Sequence, residues 1–242
     1  MQRVFVGDVQ GCDDELGDLL DELRYDPVVH ELWFVGDLVN RGPHSARVLR
    51  RVRELGARSV LGNHELNLLR VVSGARALRP RDTFDTLLEA PDLDALLHWV
   101  RARPLVKTWD DLILVHAGLP PRDLDQLPKR IEALEKEIRT GGAPWDDPVL
   151  KLLVSVRHCD AKGRQPEDDE HPGKAFEPWF EFYRGERKVV FGHWSRRGLV
   201  REKRVRGVDT GCVWGGRLTA WIAEEDRIVS VPARRAYQSL DA

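Results

Sequence analysis

Five strings in this sequence put a metal-capable side chain directly after glycine or a short apolar run. They are Gly7-Asp8-Val9-Gln10-Gly11, Gly36-Asp37-Leu38-Val39-Asn40-Arg41-Gly42, Gly62-Asn63-His64-Glu65, Val115-His116-Ala117-Gly118 and Gly192-His193-Trp194. Taken singly, a Gly-Asp pair after a strand is a turn and a lone histidine packs. Together, with gaps of 29 residues from Asp8 to Asp37 and 26 from Asp37 to Asn63, they read as one site. Asp, Asp, Asn, His and His, with Gln10 as a sixth, form an oxygen-and-nitrogen ligand set without thiolate. Such a set suits Mn²⁺, Fe²⁺, Co²⁺ or Zn²⁺. It over-supplies one ion and fits two ions about 3.5–4 Å apart that share a carboxylate.

Those residues need strand ends to carry them. Val4–Val6, Leu32–Val35 and Ser59–Leu61 are short apolar runs. Between and after them, Asp13–Arg24, Ser45–Leu55 and His64–Ser73 carry apolar residues at helical spacing. Strand, loop and helix repeated three times predict an α/β fold with a βαβαβ core, whose ligands gather at the carboxyl ends of the strands. The pattern predicts two helices within Thr83–Arg103, a strand at Leu112–Val115, and a helix whose stripe runs Leu124, Leu127, Ile131, Leu134 and Ile138. That helix reads as a surface helix packing one stripe on the core, or as a lid or dimer helix. The polar stretch of about 159–175 reads as a mobile loop. Four apolar runs, Val189–Phe191, Val205–Val208, Leu218–Ile222 and Ile228–Val231, predict a second sheet stacked on the first. The domain reading is one domain over 1–242 with a helical insertion at about 75–104.

The order of the motifs resembles that of the calcineurin-like metallophosphoesterases of the phosphoprotein phosphatase type. That resemblance implies two stacked mixed sheets flanked by helices and a dimetal centre. Within that family, Leu32–Pro43, Leu88-Glu89-Ala90-Pro91, Phe191–Trp194 and Asp209–Thr219 resemble the symmetrical bis(5′-nucleosyl)-tetraphosphatases. The resemblance implies cleavage of diadenosine tetraphosphate to two ADP and action on nucleoside-tetraphosphate caps of RNA. It implies Asp8 as ligand to the first metal, Asp37 as the bridge, and Asn63, His116 and His193 on the second. His64 would be the general acid, and Arg41 and Arg157 would clamp phosphate oxygens. Gln10 stands where the wider family has histidine, so the first ion loses an imidazole and Mn²⁺ is expected over Zn²⁺. Asn40 stands where protein phosphatases carry aspartate beside the general acid; Glu65 is the expected substitute for that charge.

Composition narrows the partners. With 38 basic and 40 acidic residues the net charge is −2, which argues against holding duplex DNA by bulk charge. Three scattered cysteines suit a reducing compartment, no apolar run reaches the ~20 residues of a membrane span, and the start does not read as a signal peptide, so the expectation is a cytoplasmic monomer. Trp194 and Trp214 are the aromatic residues closest to the candidate site, either base-stacking platforms or core residues. Two rival readings use the same residues: a Ser/Thr protein phosphatase, and a non-catalytic nucleotide sensor.

Overall fold

The computed structural model describes residues 1–121, 127–169 and 171–239. Leu124 and Glu170, which figure in the stripe and the polar stretch above, lie outside them. In chain order the regular elements begin with β1 (Gln2–Val6), α1 (Asp13–Leu23), β2 (His30–Phe34), α2 (Ser45–Glu54), β3 (Arg58–Ser59) and α3 (Asn63–Val72). The middle of the chain holds α4 (Asp85–Leu88), α5 (Leu93–Arg101), β4 (Val106–Thr108), β5 (Leu112–Val115), α6 (Leu127–Arg139), α7 (Pro148–Ser155) and β6 (His158–Cys159). The last part is strand: β7 (Glu177–Pro178), β8 (Lys188–Phe191), β9 (Val200–Arg201), β10 (Val205–Gly207), β11 (Arg217–Ile222) and β12 (Arg227–Pro232).

One sheet runs β12-β11-β1-β2-β3 and a second runs β4-β5-β8-β10-β9; β6 and β7 pair by themselves. The central strands β1, β2 and β3 are parallel, as are β5, β8 and β10, with antiparallel strands added at the edges. The two-residue period of a strand sorts the side chains. Phe5, Trp33, Val35, Leu112, Leu114, Val190 and Trp221 fall in one buried cluster drawn from both sheets, which are thereby packed face to face. Their neighbours Val4, Val6, Leu32, Phe34, Ile113, Val115, Val189 and Phe191 face the other way, into the core shared with the helices. A strand buried on both faces needs no polar alternation, which is why these runs are continuously apolar.

One expectation needs correcting. Of the four late apolar runs, only those in β8 and β10 enter the second sheet. β11 and β12 return to the first sheet, where Val4 pairs with Ile222 and Val6 with Ala220 across an antiparallel β1–β11 ladder. Strand periodicity reports burial but not the neighbour, and β1 had a free edge to fill.

Candidate metal centre

Each parallel strand delivers its residue at its carboxyl end: Asp8 after β1, Asp37 after β2, Asn63 after β3, His116 after β5 and His193 after β8. The loops carrying Asp8 and Asp37 are sewn together through backbone hydrogen bonds, from Gln10 N–H to the Asp37 carbonyl (2.8 Å) and from Gly11 N–H to the Leu38 carbonyl (2.9 Å). Two glycines let side chains come in close. A Cβ at Gly62 would lie 2.2 Å from Asp37 Oδ1, and one at Gly192 would lie 2.1 Å from Asp8 Oδ1. Asp37 Oδ1 accepts the His64 backbone N–H at the start of α3 (2.8 Å), and the Asp8 carboxylate accepts the His193 N–H (3.2 Å). The remaining oxygen, Asp37 Oδ2, faces His116 Nε2 at 3.4 Å, His64 Nε2 at 3.7 Å and the Gln10 amide nitrogen at 3.4 Å.

The hydrogen bonds settle what the imidazoles offer. His116 Nδ1 donates to the Val35 carbonyl (2.8 Å), and His193 Nε2 donates to the Ser155 carbonyl (3.1 Å). A carbonyl can only accept, so in each neutral ring the other nitrogen is a bare lone pair. Both bare nitrogens point at Asn63 Oδ1, each 2.9 Å away. Lone pairs from two imidazoles, an amide oxygen and a carboxylate thus converge with no hydrogen of their own between them. A proton, a turned Asn63 amide or a metal cation would each resolve that, and the Asp37 carboxylate beside both rings suits the cation. Asp37, His116 and His193 bring their ligand atoms within 4.8 Å of one another. Backbone carbonyls that fix the ring tautomer are the usual second support of a metal-binding histidine.

Electrostatics point the same way. Burial works against charge on His116, but Asp37 and the Val35 hydrogen bond outweigh it and push the ring up, the response of a group competing for a cation. Burial also pushes Asp37 upward, yet His116 and His64 hold its carboxyl below the ordinary range. Asp8 is pushed well up, first by burial and then by the charges of Asp209 and Asp37. Asp209, 5% exposed, is itself pushed up to about 6, chiefly by burial. Buried carboxylates crowded in this way are stabilised by bound cations. Among the described residues, Asp37, Asn63, His116 and His193 can hold an ion; Asp8 adjoins them through His193 N–H, and Gln10 turns its amide nitrogen rather than its oxygen toward Asp37.

His64 has its own support. Asn40 Oδ1 accepts two backbone N–H groups, from Arg41 and Thr83 (2.9 Å each), and its Nδ2 donates to Asp82 Oδ1 (2.9 Å). Those three partners fix the amide orientation. The contact of Asn40 Nδ2 with His64 Nδ1 at 2.9 Å is therefore a donation to the ring. His64 carries its proton on Nε2, on the side facing Asp37, and burial lowers its affinity for a second one. Glu65 does not take the place of an aspartate beside His64, which corrects the sequence expectation. Its carboxylate turns into the fold and accepts the N–H groups of Asp37, Leu38 and Gly62 at 2.8–2.9 Å, pinning the Asp37 loop to α3. Burial, then the Asp37 charge, pushes it up to about 7.

Arg41 is half-buried, donates through Nη1 to the Arg81 carbonyl (3.0 Å), and leaves its buried Nε without a partner. Arg157 meets Asp169 at 3.5 Å and lines a cavity with Arg81, Trp194 and Trp214. The backbone around the cluster is strained: Gln10, Asp37, Asn40, Arg41 and His193 all have positive φ, between 46° and 75°. Non-glycine residues in that region are uncommon, and such strain gathers at functional sites.

A family model for calcineurin-like phosphoesterases matches residues 1–197. The chain belongs to that family. Curated relatives of this phosphoesterase include proteins named symmetrical bis(5′-nucleosyl)-tetraphosphatase from Janthinobacterium sp. (39% identical, 91% of this chain and 92% of that protein) and from Edwardsiella ictaluri (38%, 98% of each). A crystal structure of a candidate diadenosine tetraphosphatase superposes with TM-score 0.74 at 30% identity, covering 96% of this chain and 93% of that one. A serine/threonine phosphatase from Saccharomyces cerevisiae shares the fold alone, with TM-score 0.65 at 15% identity.

The phosphoesterase brings Asp8, Gln10, Asp37, Asn63, His64, His116 and His193 to one place, with Arg41 on its rim and Arg157 on the cavity wall. Two residues near it were passed over in the sequence. Asp209 follows β10 as Asp8 follows β1, so the signal was available in Val205–Val208 followed by an acid. Asp82 sits in a loop without periodicity, and nothing local links it to His64.

Proposed function

We propose that this phosphoesterase hydrolyses diadenosine tetraphosphate symmetrically, releasing two ADP. The observation that carries the substrate is the likeness to curated relatives of that name over nearly the whole of both chains. The converging lone pairs of Asp37, Asn63, His116 and His193 support the metal-dependent part. Divalent ions held there would supply Lewis acidity and a water acidified enough to be a nucleophile near neutral pH.

The chain's own residues supply the rest. The Arg41 guanidinium, with its unpartnered Nε, and Arg157 bind non-bridging phosphate oxygens in the forked geometry suited to guanidinium. His64, holding its proton on Nε2, donates a hydrogen bond to the charge developing on the oxygen that leaves with ADP, a phosphate oxygen of low enough basicity to depart as the anion. Water adds to one of the two inner phosphorus atoms, the central anhydride bond breaks, and each product keeps two phosphates. The amide oxygen of Gln10 is a weaker donor than imidazole, which favours Mn²⁺. Nucleoside-tetraphosphate ends of RNA carry the same bond and form a second substrate class. No described helix is long and apolar enough to cross a membrane, in keeping with a cytoplasmic nucleotide hydrolase.

Chromatography of products after incubation with Mn²⁺ and diadenosine tetraphosphate tests this reading. ADP alone, abolished by Asp37→Ala, is expected. ATP plus AMP would overturn the register, and hydrolysis of phosphopeptides without nucleotide turnover would overturn the substrate.

A further inference from the structure

A cavity of about 310 Å³ opens beside the metal centre, with Arg81, Arg157, Trp194, Ser195, Arg196 and Trp214 among its lining residues. It adjoins the reacting region through several residues. Trp194 directly follows His193, and Arg157 is close enough to act electrostatically on both His193 and Asp209. The backbone carbonyl of Arg81 accepts the hydrogen bond from Arg41.

The walls are of two kinds. Two indoles contribute apolar surface, Trp214 with more of its ring and Trp194, a core residue 9% exposed, with what the core leaves open. Trp194 is held edge-on by His158 at 4.7 Å, with the Arg197 guanidinium 5.5 Å from its ring. Trp214 is half-buried and carries the Arg81 guanidinium 5.5 Å from its ring. Gly211 lies between Ser195 and Trp214, where a Cβ would sit 3.6 Å from each, so its bare backbone keeps the slot open. The other walls are cationic. Arg81, Arg157 and Arg196 line the cavity together with Asp169, which lies 3.5 Å from Arg157 and 3.0 Å from His158. A ligand that satisfies both kinds of wall has a flat heteroaromatic ring and an anionic tail. Small-molecule clefts run from roughly 300 to 1,000 Å³, so this volume suits one nucleoside.

Resting on the hydrolase reading above, we propose that this cavity binds one nucleoside 5′-diphosphate arm of the substrate, with the base against Trp214 and the exposed part of Trp194 and phosphate oxygens on Arg157. Anchoring the base at a fixed span from Asp37 selects which phosphorus is attacked. Symmetry of cleavage then comes from counting phosphates outward from the indoles. In this arrangement Asp169 holds Arg157 until substrate phosphate displaces it.

Calorimetric titration of the Mn²⁺-loaded protein with ADP, and separately with inorganic pyrophosphate, isolates the base from the phosphates. Base stacking predicts that ADP binds tighter than pyrophosphate by roughly 5- to 150-fold. Trp214→Ala should close most of that gap, Trp214→Phe should keep it, and Arg157→Ala should weaken both ligands alike. Equal affinity for the two ligands in the unaltered protein, or a gap that survives both Trp214→Ala and Trp194→Leu, overturns the proposal. A gap that responds to Trp214 in a protein that does not turn over diadenosine tetraphosphate upholds the cavity and overturns the hydrolase reading. Turnover to ADP without any gap does the reverse.

Discussion

Asn40 illustrates how much chemistry a single amide can settle. Because its oxygen is committed to two backbone N–H groups and its nitrogen to Asp82, it can only donate to His64, which leaves the proton of that ring on Nε2. Asp82 is thus a positioning residue that acts through Asn40. Asp82→Asn turns an obligate acceptor into an amide and frees Asn40 to rotate. The expected outcome is a kcat on diadenosine tetraphosphate lower by about tenfold, the scale of one hydrogen bond to a charged oxygen, with KM little changed. Nitrogen-15 shifts of His64 in the metal-free protein should then show mixed tautomers, which a purely structural role for Asp82 would not produce. Gln10 makes the second residue-scale prediction. Gln10→His restores an imidazole beside Asp37 and should raise metal affinity about tenfold and shift preference toward Zn²⁺, as read by competitive metal titration; an unchanged affinity and preference would count against Gln10 as a ligand. The sequence displayed Asp8, Asp37, Asn63, His116 and His193 because each follows a strand in the same way. Asp82 and the inward turn of Glu65 were not legible, since both depend on contacts between loops distant in sequence.

At the scale of elements, two glycines do unlike work. Gly192 ends β8 with its α-carbon against Asp8, where a methyl group would overlap Oδ1 at 2.1 Å. Gly192→Ala should therefore push Asp8 aside and remove most of the thermal stabilisation that Mn²⁺ confers. Gly17, inside α1, has nothing within 4 Å of where a Cβ would be. Gly17→Ala should raise stability by about 0.5–1 kcal/mol, the ordinary gain in a helix interior, and leave the Mn²⁺ increment intact. Differential scanning calorimetry with and without Mn²⁺ separates the two. The elements themselves were largely visible in the sequence: β5 matches its apolar run residue for residue, and α1, α2 and α3 agree to within a residue or two at their ends. What could not be read was the partner of β11. A run such as Leu218–Ile222 announces a buried strand, while its place beside β1 depends on which edge the rest of the chain leaves open.

At the scale of the molecule, the proposed metal ligands come from both sheets: Asp8, Asp37 and Asn63 from the first, His116 and His193 from the second. Ions bound there would join the two sheets at their carboxyl ends, and their removal would leave buried carboxylates facing one another. Asp209 and Glu65 are raised to about 6 and about 7 in the folded chain, above the ~4 of an exposed carboxyl. A group raised on folding stabilises most at pH values below its unfolded value, and that contribution is lost as pH climbs through the folded value. His64 and His193, lowered by burial, act in the opposite sense. A metal would compete with protons directly at Asp37, His116 and His193, and its charge would favour the ionised forms of Asp8, Asp209 and Glu65. The stabilisation by Mn²⁺, measured as Tm with the ion minus Tm with chelator, should accordingly grow from pH 5 to pH 8. Asp209→Asn should raise the Tm of the metal-free protein at pH 8 by a few degrees. A metal increment that is flat across this range would contradict the crowded-carboxylate account.

The left-handed backbone at the metal centre bears on how the protein can be altered. Among the described residues seven non-glycine residues adopt positive φ, and five of them, Gln10, Asp37, Asn40, Arg41 and His193, belong to the proposed site. Glycine would relax each of these positions and at the same time delete its chemistry, so conformational ease and activity are traded against each other there. Arg24, which closes α1 at φ 49°, lies outside that trade. A search for sturdier variants that weighs backbone comfort alone would rank all seven together. It would gain at Arg24 and, at the five in the metal centre, would select for a well-folded chain with no catalysis.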